Sequence, residues 1–269
     1  MMSTPEPLGP MTPSGPQGLV PPSGPQGPMT LAIDIGGTKL KAGLLDRDGA
    51  MVGERAAVPT VQPSTPERVM TALTQLASMV GPYDRVSVGF PGVLRGGTVR
   101  TAPNLGTRDW TGFDLGGALL ARLGKPVRML NDATVQGLGV IAGRGIECVI
   151  TLGTGFGFAL YQDGRMAPHL EMSQHVIRRD LTYDEYLGGA ALNKVGRERW
   201  RRRVARVLAQ LRAVVNFDVL YIGGGNSRLI GPDLPADVRI VSNNAGITGG
   251  VRLWDSRLDE AFDRPRPAA

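Results

Sequence analysis

The sequence predicts an α/β protein built from two similar lobes with a cleft between them. From residue 29 onward, apolar runs typical of strands alternate with amphipathic runs typical of helices, and such alternation indicates an α/β fold. The order strand, glycine loop, strand and turn occurs twice, as MTLAIDIGGTKLKAGLLDRDG at 29–49 and as ECVITLGTGFGFALYQDG at 147–164. The repeat implies two lobes, and small-molecule sites are frequent in clefts of this kind.

The spacing of apolar and turn residues places the elements along the chain. In the first half we predict strands at 31–35, 41–46, 50–60, 84–90 and 126–132, and helices at 64–80 and 113–124. In the second half a helix at 133–143 precedes the repeated hairpin. After the hairpin we expect a helix at 194–212, a strand ending in a third glycine loop at 218–226, a strand at 238–242 and a last helix at 245–262.

Residues 1–28 consist almost entirely of Pro, Gly, Ser, Gln, Thr and Met, and PSGPQG occurs in them twice. Such a segment cannot bury enough apolar surface to offset its ordering entropy, so a disordered tail is predicted; a start codon upstream of the true one would also explain it. We place an N-terminal lobe at 29–133, a C-terminal lobe at 134–250, and a terminal helix and tail returning toward the N-terminal lobe at 251–269.

The composition excludes several classes of protein. A single cysteine, Cys148, excludes an intramolecular disulfide and a Cys-rich structural zinc site. No run of about 18 apolar residues is present, so no membrane span is expected. Residues 1–28 lack the basic start and apolar core of a signal peptide. Together these features predict a cytoplasmic protein.

Positive charge is concentrated in one predicted helix. The chain has a net charge of +6, and KVGRERWRRRVARVLAQLR at 194–212 holds much of it. A basic chain suits nucleic acid, an anionic membrane surface or a polyanionic substrate. The arginines form either a solvated face, the commoner case, or a surface for a polyanion. The opposite, apolar face is predicted from helical spacing to comprise Val204, Val207, Leu208, Leu211, Val214 and Val215.

The glycine loops match neither of the common phosphate-binding patterns. A Walker A loop is absent, and a dinucleotide fingerprint would lie between a strand and a helix, whereas these loops join two strands. Two hairpin loops that face one cleft can still present backbone N–H groups to phosphate oxygens. Ordinary turn glycines are the alternative. The predicted phosphate-binding residues are Gly36, Gly37, Thr38, Lys39, Gly153, Thr154 and Gly155.

Six motifs resemble, in order, those of the ROK sugar kinases. They are DIGGTK at 34–39, GFPGV at 89–93, NDA at 131–133, LGTGFG at 152–157, YIGGGN at 221–226 and NNAGITGG at 243–250. The resemblance implies the actin-like ATPase fold, a duplicated ribonuclease H-like unit with a central cleft. It is nearest to the polyphosphate glucokinase branch, which, like this chain, lacks the Cys-rich zinc motif of typical ROK members.

The resemblance also implies roles for individual residues. Asp132 matches the catalytic aspartate, the base for the attacking sugar hydroxyl, although Asp132 or Asn131 could instead cap the following helix. Asn131, Asn104 and Glu171 match sugar contacts. Asp34 matches a residue near the magnesium–phosphate complex, and the matches near the base and ribose of ATP are Gly223, Gly224 and Gly225.

The chain departs from the family beside Glu171. The family pattern is Glu-x-Gly-His, whereas this chain has EMSQH at 171–175. Ser173 replaces the glycine and Gln174 takes the aligned place of the histidine. Either His175 contacts the sugar after a local shift, or Gln174 does, or sugar binding is altered; we choose His175 as the candidate.

The function expected from the residues and the resemblance is a Mg²⁺-dependent hexose kinase, with glucose as the expected acceptor and polyphosphate, ATP or both as donor. The alternative is a sugar- or phosphate-binding relative without turnover. A repressor is disfavoured because residues 1–28 cannot form a helix-turn-helix, and neither nucleic acid nor membrane is an expected partner. Family relatives are often dimers, so a homodimer is considered, although no sequence pattern shows an interface.

Overall fold

A computed structural model describes residues 27–262 of the chain. Most of the predicted tail, residues 1–26, lies outside the described part, as do residues 263–269. Within 27–262, no helix combines the length and the apolar character needed to cross a membrane.

The first half of the described chain forms a five-stranded mixed sheet. Its elements are β1 (Thr30–Ile35), β2 (Lys39–Leu45), β3 (Met51–Pro59), α1 (Pro66–Ser78), β4 (Arg85–Phe90), β5 (Leu94–Arg95), β6 (Thr98–Val99), α2 (Thr107–Trp110), α3 (Leu115–Leu123), β7 (Val127–Asn131) and α4 (Asp132–Leu138). The strand order is β3-β2-β1-β4-β7. Strands β1, β2 and β3 pair antiparallel, and β1, β4 and β7 pair parallel.

The second half repeats this arrangement. Its elements are β8 (Ile146–Leu152), β9 (Phe156–Gln162), β10 (Arg165–Met166), β11 (Val176–Arg178), β12 (Leu181–Thr182), α5 (Tyr183–Leu187), α6 (Gly189–Val195), α7 (Arg197–Val215), β13 (Val219–Gly223), β14 (Val238–Ile240), α8 (Ala245–Thr248) and α9 (Asp259–Phe262). The strand order is β10-β9-β8-β13-β14, again an antiparallel meander followed by two parallel additions. The predicted duplicated α/β architecture is confirmed.

Each sheet has its own apolar core, and a third core joins them. The first packs α1 and α3 on the first sheet, and the second packs α5 and α7 on the second sheet. The third contains α4 together with Tyr161, Tyr221 and Leu253. Helix α4 therefore lies where the two sheets meet, in contact with β4 and β9. The division into lobes at 133/134 stays a prediction.

Two predicted helices are interrupted. Gly196, with φ of 76°, separates α6 from α7 within the predicted helix 194–212, because glycine adopts positive φ at low cost. Val214 is 77% exposed and does not belong to the apolar face, while Val204, Val207, Leu208 and Leu211 are buried as predicted.

The last predicted helix, 245–262, is broken into α8, 3₁₀ turns at Gly249–Trp254 and Ser256–Leu258, and α9. The break coincides with close packing on the first sheet, where a side chain on Gly250 would lie 2.9 Å from Cβ of Ala32. The turns bring this segment onto the first sheet, where Oγ of Ser87 donates to the carbonyl of Gly250 at 2.7 Å and Nε1 of Trp254 donates to Oγ of Ser87 at 2.8 Å.

Candidate functional site

A cleft of about 1030 Å³ lies between the two sheets. It brings together most of the site residues predicted from the sequence: Asp34, Gly36, Gly37, Thr38, Lys39, Asn104, Asn131, Asp132, Gly153, Thr154, Gly155, Glu171, Gly224 and Gly225. Gly223 is buried at the end of β13, just behind the lining. His175 is exposed and lies outside the lining.

The two hairpin loops approach each other across the cleft. Loop 36–38 joins β1 to β2, and loop 153–155 joins β8 to β9. Oγ1 of Thr38 lies 2.8 Å from Oγ1 of Thr154. Both loops also close on Asn104, because a side chain on Gly37 would lie 3.0 Å from its Cβ and one on Gly155 would lie 3.0 Å from its Nδ2. A Cβ at Gly37 would therefore press on Asn104, and one at Gly155 would also lie 2.7 Å from Oδ1 of Asp184, so glycine suits both positions.

The third glycine loop is fixed to the second. Gly224 has φ of 85° and passes so close to the backbone of Leu152 that a side chain would overlap it. Nδ2 of Asn226 donates to the carbonyl of Gly153 at 3.0 Å. The loops at 153–155 and 223–225 therefore form one wall of the cleft.

Asp132 is the first residue of α4, which begins at the carboxyl end of β7. Asn131 caps this helix, since its Oδ1 accepts from the N–H groups of Ala133 and Thr134 at 3.0 and 3.3 Å. The question left open by the sequence is thus answered: the cap is Asn131. The start of α4 is held closely between the sheets, because a side chain on Gly89 would lie 3.3 Å from Cα of Asp132.

The surroundings of Asp132 favour its protonated form. Burial, then the charge of Asp34, and then that of Glu171 raise the pKa of Asp132 to about 7. Two groups lower the pKa of Asp132. They are the N–H of Ala133, which donates to Oδ1 of Asp132 at 2.8 Å, and the ammonium of Lys41. A carboxyl group with a pKa near neutrality can exchange a proton at physiological pH, as a general base must.

Lys41 is a cleft residue that the sequence did not identify. Asp34 and Lys41 are direct cross-strand partners on β1 and β2, and Nζ of Lys41 lies 2.6 Å from Oδ2 of Asp34. The predicted Lys39 lies on the same face two residues earlier and is exposed. The alternation of side chains along β2 was the available signal, but the pairing with Asp34 requires the strand register.

Glu171 lines the cleft with neighbours that differ from those expected. Oγ of Ser173 donates to Oε1 of Glu171 at 2.5 Å, and Nε2 of His169 lies 3.4 Å from Oε2. The 3₁₀ turn Met172–Gln174 brings Ser173 back toward Glu171, after which the backbone extends at His175. The His175 ring lies 6.2 Å from that of Tyr183, centroid to centroid. The histidine beside Glu171 is therefore His169.

Asp184 is a further residue that sequence reasoning missed. Its Oδ1 accepts from the N–H of Phe156 at 2.5 Å, directly beside Gly155. Burial, with smaller contributions from Glu171 and Glu185, raises the pKa of Asp184 to about 6. The capping box formed by Thr182 and Glu185 is readable in the sequence and places Asp184 in the first turn of α5, but the sequence does not show that α5 faces loop 153–155.

The described residues fit a magnesium ion that arrives with a phosphate ligand. Within 27–262, no group of three or more His, Cys, Asp or Glu side chains is placed to hold a metal ion. Mg²⁺ usually takes one or two carboxylates together with substrate phosphates and water. Asp34, beside loop 36–38, can supply one carboxylate, and its contact with Lys41 would compete for it.

The comparisons with known proteins agree with this geometry. The ROK family matches residues 30–168. The polyphosphate glucokinase of Mycobacterium tuberculosis (strain CDC 1551 / Oshkosh) is 30% identical over 258 residues, covering 90% of this chain and 97% of that protein.

Two solved structures share the fold. The inorganic polyphosphate/ATP-glucomannokinase from Arthrobacter sp. strain KM superposes with a TM-score of 0.77 and 31% identity, over 84% of this chain and 98% of that one. A ROK family glucokinase from Streptomyces griseus, in complex with glucose and AMPPNP, gives a TM-score of 0.70 at 21% identity over the same shares. The predicted actin-like fold is confirmed, and the chain belongs to the ROK family.

Proposed function

We propose that this protein is a hexose kinase that transfers a phosphoryl group from polyphosphate, ATP or both to a hexose, with glucose as the first candidate. The observation that carries the proposal is the position of Asp132, a carboxyl group of raised pKa at the base of a cleft walled by two paired glycine hairpins. A base for a hydroxyl and a surround for phosphates are what phosphoryl transfer to an alcohol requires.

Asp132 would accept the proton of the attacking hydroxyl. The hydroxyl oxygen forms a bond to the terminal phosphorus of the donor, and the bond from that phosphorus to its bridging oxygen breaks, so the shortened donor leaves with the electron pair. The N–H groups of Gly36 and Gly153 donate within their own hairpins, to the carbonyls of Lys39 and Gly155. The later N–H groups of loops 36–38 and 153–155 and the hydroxyls of Thr38 and Thr154 would hold phosphate oxygens. Mg²⁺ bound with the donor at Asp34 would offset the negative charge of the phosphates.

Asn104, Asn131 and Glu171 are the proposed hexose contacts, since amides and carboxylates bind pairs of hydroxyls. Asn131 would have to give up a present contact to bind a hydroxyl, because its Oδ1 caps α4 and its Nδ2 donates to the carbonyls of Phe90 and Gly92. Ser173, which holds Glu171 through Oε1, would fix the orientation of that carboxylate. His175 remains a candidate only if the segment after Glu171 moves toward the cleft.

The identity of the donor rests on the relatives more than on the arginine-rich helix. The Arthrobacter relative is described as using inorganic polyphosphate and ATP. On α7, Arg201 and Arg203 bind the carbonyls of Leu229 and Tyr186, and Arg212 binds Asp237. Several arginines of α7 are therefore engaged in contacts within the protein itself. Arg55 and Arg228 line the cleft itself and are the better candidates for a long polyanion.

A catalytically silent sugar- or phosphate-binding relative is the second candidate. The observation that favours it is the altered environment of Glu171, where His169 and Ser173 replace the family pattern. The retained Asp132 and the paired loops favour turnover.

Purified protein with Mg²⁺, a panel of hexoses and either ATP or polyphosphate separates the two candidates, with hexose phosphate as the readout. Product with at least one pair supports the kinase. Folded protein that binds glucose by calorimetry but forms no product with any pair supports the silent relative. The oligomeric state, for which a homodimer remains a proposal, is measured in parallel by light scattering.

A further inference from the structure

Gln136 is a buried polar residue of the cleft, and the proposed function assigns it no role. It lies on α4, four residues after Asp132, and is 7% exposed. Its side chain lines the cleft, and Nε2 is buried without a hydrogen-bond partner among the described residues. Buried polar atoms nearly always have a partner, so an exception in a cleft suggests that a ligand supplies it.

The surroundings of Gln136 make room for its amide. Gly223, the last residue of β13, lies against it, and a side chain there would overlap Nε2. The amide thus occupies the space that any larger residue at 223 would need. The glycine at this position is explained by Gln136, independently of any nucleotide contact.

The position of Gln136 places its amide on the donor side of the site. Residues four apart lie on the same face of a helix, about one turn from each other. Asp132 therefore marks the acceptor end of this face, and the loop that follows Gly223 marks the other end. A donor that reaches from loop 153–155 toward loop 223–225 passes Gln136.

We propose that Gln136 binds the phosphoryl donor, with Nε2 donating a hydrogen bond to a phosphate oxygen. The inference rests on the proposed function for the direction in which the donor lies. The chemistry matches, because the amide nitrogen can only donate and phosphate oxygens only accept. Gln136 is thereby a specificity-determining residue for the donor and not for the hexose.

Replacement of Gln136 by Met tests this proposal, because Met has similar length and no donor. We expect the KM for the donor to rise roughly tenfold, since a lost hydrogen bond to a charged group has about this effect. The KM for glucose should stay within about twofold. The unfolding midpoint of the free protein should not fall, because the variant removes a buried amide that has no partner within residues 27–262. Gln75→Met, on the exposed face of α1, is the matched control.

A binding measurement separates this proposal from the kinase assignment. Calorimetric titration of the free protein with Mg²⁺ and either tripolyphosphate or ATP needs no turnover. Weaker binding in Gln136→Met supports the inference even if wild type forms no hexose phosphate, an outcome that would overturn only the proposed function. Equal binding in wild type and variant, or no binding of either probe to wild type, overturns the inference and indicates a water or a purely structural amide at this position.

Gln136→Glu keeps the shape of the side chain and replaces the donor by a carboxylate. It should weaken tripolyphosphate binding more than Gln136→Met does, because it adds repulsion between like charges. If Gln136→Met fails to fold, this isosteric variant carries the test, and unchanged binding in it contradicts the proposal.

Discussion

Oγ1 of Thr38 and Oγ1 of Thr154 lie 2.8 Å apart although 116 residues separate them in the chain. Each threonine belongs to one of the two repeated hairpins, so their contact joins the equivalent loops of the two halves across the cleft. Exposed hydroxyls that already share a hydrogen bond can turn to a phosphate group at little cost. The pair therefore marks the point where both halves can hold one ligand.

Replacement of either threonine by valine should weaken donor binding. Valine keeps the shape but removes the hydroxyl, so we expect the donor KM to rise severalfold in Thr38→Val and in Thr154→Val. The free energy of unfolding should change by no more than about 1 kcal/mol, because the contact is exposed. The loss of donor-binding free energy in the double variant should be smaller than the sum of the losses in the two single variants if both hydroxyls bind the same phosphate. Thr71→Val, on α1, is the control, and strict additivity would argue against a shared ligand.

The activity should rise with pH through the pKa of Asp132. Burial and the charges of Asp34 and Glu171 raise this pKa to about 7, and a base works only when deprotonated. The pH profile of kcat/KM should accordingly show an ascending limb near pH 7. Asp34→Asn should move the limb to lower pH, because it removes a negative charge, and Lys41→Met should move it to higher pH. Shifts in the same direction would contradict this electrostatic assignment.

The stability of the protein should follow the same proton with a defined sign. The folded chain binds the proton of Asp132 more tightly than the unfolded chain, whose carboxyl has the ordinary pKa of 3.8. The stabilising contribution of this proton is therefore fully present below about pH 4 and is lost as the pH rises through about 7. Between these values, wild type should lose unfolding free energy relative to Asp132→Asn. The unfolding free energies of both proteins are measured by chemical denaturation at several pH values. If they change with pH in parallel, the pKa of Asp132 is not raised.

Glucose binding through Glu171 should depend on His169 more than on His175. His169→Gln removes the ring whose Nε2 lies 3.4 Å from Oε2 of Glu171, and we expect a severalfold increase in the glucose KM with little change in the donor KM. His175→Gln changes an exposed ring and should have the smaller effect. A larger effect of His175→Gln would mean that the segment after Glu171 rearranges when the sugar binds.

The sequence predicted those features that depend on local pattern. The paired hairpins, the position of Asp132 after a strand and the two-sheet architecture follow from apolar periodicity and glycine placement. The contact between Lys41 and Asp34 depends on strand register, and that between Asp184 and Phe156 depends on how α5 packs. The amide of Gln136, which lacks a partner in the part of the chain that the structure describes, could not be predicted because its surroundings come from β13. The break in the last helix coincides with close packing that lies far away in the chain, of Gly249 against α4 and of Gly250 against the first sheet.

The most direct test of the central claim is the rate of hexose phosphate formation by wild type and Asp132→Asn, measured side by side with glucose, Mg²⁺ and either polyphosphate or ATP. We expect product with wild type and a rate about 10²–10⁴-fold lower with Asp132→Asn, while both proteins remain folded and bind glucose. An Asp132→Asn variant that retains the full wild-type rate would contradict the assignment of Asp132 as the base and with it the proposed mechanism.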